Sequence, residues 1–197
     1  EQNATSFTWS IDLSAPVAKI TDLPTDPTNN QSININVTGT DVISYMYKID
    51  NESWSEEIPI ANPINRSDLT EGARSIYVIG KDLAGNWQTF LDATVYSWEI
   101  DITPPSVVLS NTPVNPTNQT SISIQVEGTD IISYKYKLDS GDWSDAEIDK
   151  SIDITESELT QNSHTILVIG KDLAGNWQEI PNATSFTWFI DLNAATA

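Results

Sequence analysis

Oxygen-bearing side chains recur at matched positions along this chain of 197 residues. Two sets, each of three aspartates and one asparagine, are spaced alike: Asp12, Asp41, Asp82 and Asn86, and then Asp101, Asp130, Asp172 and Asn176. Carboxylate and amide oxygens drawn from several loops, completed by backbone carbonyls and water, are ligands that Ca²⁺ accepts. The two sets are therefore predicted metal ligands, with calcium as the cofactor.

A structural interpretation of the same residues stays open beside the calcium one. Gly85-Asn86 is typical of a tight turn, because Gly and Asn tolerate a positive φ. An aspartate such as Asp82 commonly accepts hydrogen bonds from the backbone of its own loop. A compact calcium loop, with acids at alternating positions and a central glycine, is absent from the sequence.

The chain repeats itself with a period near 90 residues. The phrase VIGKDLAGNWQ occurs at 78–88 and again at 168–178, and Pro27-Thr28-Asn29 corresponds to Pro116-Thr117-Asn118. A partial third copy is present, since 3–12 matches 182–191. The positions of these matches predict the repeat boundaries. They place the terminal strand of a preceding repeat at 1–12, a first repeat at 13–101, a second at 102–191, and the start of a linker or tail at 192–197.

Alternation of apolar and polar residues indicates the secondary structure. Ser32 to Val37 and Ser121 to Val126 alternate strictly, and Tyr134 and Tyr136 lie on the opposite face from Lys135 and Lys137, as expected of strands with one buried face. No segment has a helical pattern, and Asn-Pro, Ser-Gly-Asp and Ala-Gly-Asn turns separate the strands. The predicted fold is all-β, with two tandem seven-stranded β-sandwiches.

A family resemblance rests on several of these motifs. The succession Tyr-x-Tyr-Lys-Leu-Asp, Trp, His-Thr-Ile-x-Val-x-Gly-Lys-Asp-x-Ala-Gly-Asn and Ser-Phe-Thr-Trp-x-Ile-Asp resembles the immunoglobulin-like and fibronectin III-like repeats of large prokaryotic surface proteins and adhesins. The resemblance implies a stalk or spacer in an extracellular or surface-anchored protein, supporting adhesion or the display of another domain. It also implies neighbouring repeats as partners and, in some such families, calcium at the junctions. Similar modules occur beside glycoside hydrolase domains.

Strand parity places the predicted ligands near the linkers. In a seven-stranded antiparallel sandwich, the second and sixth loops lie at the end where the chain enters. Asp130 falls in the second loop of the second repeat and Asp172 to Asn176 in its sixth, so both are expected beside the linker 101–105. A divalent ion there would offset the repulsion among the acids and stiffen the junction.

Charge and composition exclude several classes of partner. Twenty-eight acidic residues against nine basic ones give a net charge of −19, which argues against nucleic acid and anionic membrane as partners. No apolar run reaches the roughly 20 residues of a membrane span. The single histidine, His164, and the absence of cysteine and of a Gly-x-Ser-x-Gly elbow give no catalytic constellation, so no enzyme activity is expected.

Seven tryptophans favour an alternative function. Exposed aromatic rings stack on sugars, which would suit a carbohydrate- or protein-binding module, accessory to a secreted glycoside hydrolase, with a glycan or surface protein as partner. Burial explains five of the seven more simply: Trp9, Trp98 and Trp188 on the inward face of the last strand, and Trp54 and Trp143 after a turn. Trp87 and Trp177, beside the Ala-Gly-Asn turn, fit either interpretation.

The N-terminal segment has an apolar stripe of its own. Phe7, Trp9 and Ile11 alternate with polar residues but have no sandwich within this sequence. Such a strand is expected to dock on another chain or to fold against the first repeat.

Overall fold

The structure, a computed structural model, describes residues 5–146 and 159–193 and the backbone of 153–156. The chain divides into two units, Glu1–Asp101 (unit 1) and Ile102–Ala197 (unit 2). Regular structure in the described residues is β-strand, apart from single 3₁₀ turns at Phe90–Asp92 and Ile180–Asn182. The all-β prediction is confirmed. No helix in this part of the chain is long and apolar enough to cross a membrane.

Unit 1 contains seven antiparallel strands in two sheets. The strands are β1 (Lys19–Thr21), β2 (Ile33–Thr38), β3 (Ser44–Ile49), β4 (Ile58–Pro59), β5 (Ile64–Arg66), β6 (Gly72–Lys81) and β7 (Thr94–Ile100). One sheet has the order β1-β2-β5 and the other the order β4-β3-β6-β7. Thr28, which precedes β2, also bridges to Ile100 in parallel, so the chain contacts both sheets before β2 begins.

Unit 2 repeats this plan in the strands that the structure describes. They are β8 (Ser106–Ser110), β9 (Ile122–Thr129), β10 (Ser133–Leu138), β11 (Asp153–Glu156), β12 (Ser163–Lys171) and β13 (Thr184–Phe189). The sheets have the orders β11-β9-β8 and β10-β12-β13. The counterpart of β4 falls within 147–150, outside the described residues, so a seventh strand in unit 2 stays a prediction.

Each unit builds its core from side chains that alternate along its strands. In β2 the buried residues Ile33, Ile35 and Val37 alternate with exposed Asn34, Asn36 and Thr38. The facing sheet contributes further buried side chains to this core: Tyr45, Ile49, Ile76, Val78 and Trp98. A fully buried side chain of this kind contributes about 1.5–3 kcal/mol relative to exposure, so this two-residue period dictates which face of each sheet is buried.

The core of unit 2 uses the corresponding positions. Its buried residues include Ile122, Ile124, Val126, Tyr134, Ile166, Val168 and Trp188. This core shares no residue with that of unit 1. Each unit therefore buries its own apolar surface.

The repeated Gly-Thr-Asp motif lies where the second strand of each unit ends and the chain turns towards the third. Gly39 and Gly128 both have φ of 147°, and Asp41 and Asp130 have φ of 63° and 60°. A Cβ on Gly39 would lie 2.5 Å from the Val17 carbonyl oxygen, and one on Gly128 would clash with the Ser106 carbonyl oxygen. The glycine is repeated because the turn lies against the backbone of the first strand or the residues just before it.

The N-terminal apolar stripe has no sheet partner within the described residues. Residues 5–18 form no strand, and Phe7, Trp9 and Ile11 are 81%, 70% and 76% exposed. The expectations that Trp9 is buried and that this segment folds against unit 1 as a strand are therefore not met. The reason lies in the surroundings and not in the local sequence, because the same pentapeptide Thr-Ser-Phe-Thr-Trp lies in β13 of unit 2, where it pairs with β12 and Trp188 is fully buried.

Candidate functional site

The repeated eleven-residue phrase forms the end of a long strand and a capped turn. After β6 ends at Lys81, Oδ1 of Asp82 accepts the Asn86 backbone N–H at 2.8 Å, and Oδ2 accepts the Asn86 side-chain amide at 2.8 Å. In unit 2, Oδ1 of Asp172 accepts the backbone N–H groups of Gly175 and Asn176, both at 2.7 Å, and Oδ2 accepts the Asn176 side-chain amide at 2.8 Å. Both turns thus use an aspartate as the acceptor for their own loop.

Asp82 is charged although its residue is almost fully buried, at 2% exposure. Burial raises the pKa of this carboxyl. The hydrogen bonds from the Asn86 side chain and from the backbone N–H groups of Asn86, Gly85 and Ala84 lower it by more, so the net pKa lies below the ordinary value. The ionised form is the one that accepts these hydrogen bonds. This geometry supports the loop-capping interpretation of Asp82.

The structure brings together part of the first predicted metal set. The Asn86 side-chain amide donates to the backbone oxygen of Asp12 at 3.1 Å, so the sixth loop does contact the entering segment. The Asp12 carboxylate, however, accepts the N–H of Ser14 at 2.9 Å. Asp41 lies in the turn between β2 and β3. The contact between loop and entering segment is made by an amide and a carbonyl rather than by converging carboxylates.

The second predicted set is divided between the two units. Asp101 is the last residue of unit 1, whereas Asp130, Asp172 and Asn176 belong to unit 2. Within the residues that the structure describes, no group of three or more histidine, aspartate or glutamate side chains is placed to hold a metal ion. Calcium binding by either set stays a prediction.

A glutamine fixes the chain after each turn. Oε1 of Gln88 accepts the backbone N–H of Ala18 at 3.0 Å and that of Gly80 at 3.2 Å. In unit 2 the Gln178 side-chain amide donates to the carbonyl of Asn182 at 2.6 Å. The turn and this anchor return the chain antiparallel to the strand end, so Trp87 bridges to Lys81 and Trp177 to Lys171.

Lysine side chains lie over aromatic rings on the outer face of the sheet that carries the longest strand of each unit. In unit 2 the ammonium nitrogens of Lys135 and Lys171 lie 5.4 Å and 5.8 Å from the Trp177 ring centre, and that of Lys137 lies 5.8 Å from the Trp143 ring centre. Sequence reasoning missed these contacts. The alternation of residues along β10 could have indicated them, because it places Lys135 and Lys137 on the face opposite the buried Tyr134.

The corresponding outer face of unit 1 also has lysines over aromatic rings, but the aromatic partners differ. The Lys48 ammonium lies 4.7 Å from the Tyr77 ring centre and 5.8 Å from that of Trp54, whose ring also packs on Phe90 at 5.0 Å. The predicted burial of Trp54 and Trp143 is corrected, because both are half-buried against lysines on the outer face. Trp98 and Trp188 are buried as predicted.

The histidine of unit 2 replaces an arginine of unit 1 at the same structural position. Arg74 donates to Asp50 Oδ2 at 2.9 Å and to the Thr70 carbonyl at 3.0 Å. Nδ1 of His164 lies 2.8 Å from Asp139 Oδ2, and its Nε2 lies 2.9 Å from the Thr160 carbonyl. Both ring nitrogens face acceptors, and only the protonated imidazolium can donate to both.

This arrangement makes the stability of unit 2 dependent on pH. Burial lowers the pKa of His164, but the hydrogen bond to Thr160 and the hydrogen bond and charge of Asp139 raise it by more, so the net pKa lies above the ordinary 6.5. A raised folded-state pKa stabilises the fold fully below the unfolded value, and this contribution is lost as pH rises through the folded value. We expect amide exchange in β12 to become faster as pH rises from about 6 to 8, after correction for intrinsic exchange.

His164→Arg, which copies unit 1, is the control for this effect. Arginine stays charged throughout this range. The pH dependence of β12 should therefore disappear in His164→Arg, while β6 of unit 1 shows none in either protein. An equal pH dependence in the variant would contradict the assignment to His164.

Comparisons with known proteins add the fold family. No family model and no curated protein matches the chain. The fibronectin(III)-like modules of Clostridium thermocellum CbhA match with a TM-score of 0.50 at 15% identity, over 88% of this chain and 94% of theirs. A tetra-tandem repeat from the extending region of a large adhesion protein matches with a TM-score of 0.38 at 18% identity, over 92% and 51%. The FN1–FN3 domains of chicken CNTN1 match with a TM-score of 0.36 at 12% identity, over 93% and 68%.

The CbhA match covers most of both chains. At 15% identity it shows the fold alone. The structural neighbours of this chain are thus fibronectin III-like modules and tandem repeats of adhesion proteins, and its fold is fibronectin III-like.

Proposed function

We propose that the chain is a pair of spacer modules in an extracellular or surface-anchored repeat protein, holding an adhesive or catalytic domain away from the cell. The observation that supports this most is the duplication itself. Both units bury the same residue types at equivalent positions and build the same capped turn. Selection for a common fold, rather than for one reactive site, accounts for this pattern.

The physical properties of the units suit that role. Each unit has its own core, as a module that folds around its own apolar side chains requires. The net charge of −19 opposes self-association of densely displayed copies. The spacer has no catalytic function in this proposal.

The proposal extends to both ends of the sequence. Residues 3–13 and 182–192 differ only at Ser10, which corresponds to Phe189. Since 184–189 forms the last strand of unit 2, we assign 1–12 to the last strand of a preceding repeat and 192–197 to the start of the next linker or tail. Neighbouring repeats of the same polypeptide are then the primary partners.

A display experiment tests the spacer role. One, two or three copies of the chain are placed between a cell-surface anchor and a reporter epitope, and the binding of a large antibody-coated bead is measured. Bead binding is expected to rise with copy number. A matched series carrying Trp98→Ala and Trp188→Ala together, which removes a buried side chain from each core, should give a weaker rise. Equal access at every copy number would contradict the proposal.

Calcium binding at the predicted sets is a separate proposal. The support for it is the pairing of two loops and an entering segment that each carry an acid, together with the excess of acidic residues. Isothermal titration of the full chain with Ca²⁺ is expected to release or absorb heat, and Asp172→Ala should reduce the number of sites. Because Asp172 also caps its loop, Asp101→Ala provides a variant outside that turn. Absence of heat with the unmodified chain would end this proposal.

A further inference from the structure

Basic side chains are concentrated on one surface of unit 2. We call this surface, formed by Lys135, Lys137, Lys171, Trp143 and Trp177, the lysine–indole face. It lies on the outer side of the β10-β12-β13 sheet, opposite the core residues Tyr134, Ile166 and Val168. With Lys48 and Lys81 of unit 1, five of the basic residues that the structure describes lie over aromatic rings.

The ammonium groups of this face have no carboxylate partner among the described residues. Salt bridges in this part of the chain involve Arg66, Arg74, Lys81 and His164. In unit 1, Lys81 pairs with Glu57 at 2.9 Å. The residue of unit 1 that corresponds to Lys135 is Met46. Unit 2 thus adds one cation at the equivalent surface.

The lysines are held at regular positions. Lys135 and Lys137 are two residues apart on β10, which places their Cα atoms roughly 6.6 Å apart on one face. Lys135 is paired with Ile169 in the ladder, so Lys171 lies diagonally across from it on β12. Contact with an indole restricts each ammonium and is worth about 0.5–1 kcal/mol at an exposed site. The charges are therefore arranged before any ligand arrives.

We propose that the lysine–indole face binds an acidic polysaccharide, with its carboxylate or sulfate groups on the three ammonium groups and its sugar rings against the half-buried indoles. The face groups three ammonium groups that have no carboxylate partner among the described residues, so charge complementarity selects an anionic ligand. The net charge of −19 repels every polyanion at long range, so binding depends on short-range contacts at this face.

The surface fits a sugar chain better than a peptide segment. It is the outer side of a sheet, and hydroxyl groups lie farther along β12, where Oγ1 of Thr165 and Oγ1 of Thr187 are 2.9 Å apart. Indole rims beside ammonium groups match a polymer that alternates apolar ring faces with acidic groups. This inference goes beyond the spacer role and does not depend on it.

Affinity electrophoresis of the full chain tests the proposal, with gels containing polygalacturonate, chondroitin sulfate, polyglutamate or neutral dextran. We expect the two acidic polysaccharides to retard the chain at about 0.15 M salt, where a Debye length of about 8 Å screens the long-range repulsion. Neutral dextran and polyglutamate should have little effect, and about 1 M salt should abolish retardation because the Debye length falls to about 3 Å. Lys135→Met, which copies Met46 of unit 1, should weaken binding about fivefold.

Lys19→Met is the matched control, because it removes one lysine from β1 in the other unit. Binding by Lys19→Met should equal that of the unmodified chain, and circular dichroism should show that all variants are folded. The proposal is overturned if neither acidic polysaccharide retards the chain, or if Lys19→Met weakens binding as much as Lys135→Met. It is also overturned if polyglutamate binds as tightly as polygalacturonate, which would indicate an acidic protein partner.

Discussion

Replacement of Trp188 by alanine is expected to destabilise unit 2 by about 3–5 kcal/mol, because a fully buried aromatic side chain leaves a cavity that the sheet cannot close. Trp188 is 0% exposed and lies in the core of unit 2. Unit 1 should be unaffected, since its core contains none of the same residues. Differential scanning calorimetry of the full chain should show one transition moving to lower temperature and the other staying in place.

The same pentapeptide provides a control for Trp188→Ala. Trp9 occupies the equivalent place in Thr-Ser-Phe-Thr-Trp but is 70% exposed, so Trp9→Ala should change the unfolding free energy by less than about 0.5 kcal/mol. If Trp188→Ala moved both transitions together, the two cores would be energetically linked and the description of separate units would be wrong.

Substitution of Gly128 by alanine is the second change with a large expected effect. A Cβ at this position would meet the Ser106 carbonyl oxygen, and the backbone φ of 147° is unfavourable for alanine. Backbone strain and overpacking together should cost unit 2 about 2–4 kcal/mol. Gly39→Ala should have the corresponding effect on unit 1. Urea unfolding of each variant measures these losses.

Gly85→Ala separates backbone strain from steric contact. Gly85 has φ of 98°, but a Cβ there would meet no atom within 4 Å. Its substitution should cost only about 1 kcal/mol, from strain alone. If Gly128→Ala were no more costly than Gly85→Ala, the close approach of the turn to the first strand would not explain the repeated glycine.

Much of the fold could be predicted from the sequence because strand periodicity reports burial directly. Ile33, Ile35 and Val37 alternate with polar residues, and these three side chains are buried. Much of the repeated phrase is explained by contacts within the phrase itself: Asp82 accepts the backbone N–H and side-chain amide of Asn86, and Gln88 accepts the backbone N–H of Gly80. Local hydrogen bonding of this kind can be read from residue types and their spacing.

Features that depend on distant parts of the chain could not be predicted. Trp9 and Trp188 have the same local sequence, yet only Trp188 has a neighbouring strand, β12, to pack beside. Similarly, Lys135 and Trp177 are far apart in sequence and meet only because β10 pairs with β12 and the capped turn brings Trp177 back. Periodicity gives the face on which a side chain lies, but not the side chain that covers it.

Single-molecule stretching of the full chain from its ends tests the central claim most directly, namely that the chain consists of two units that fold and resist force separately. We expect two unfolding steps of similar length, each of roughly 300 Å for about 90 residues at ~3.5 Å per residue. In Trp188→Ala one of the two steps should occur at lower force. A single step that releases the whole chain would contradict the account.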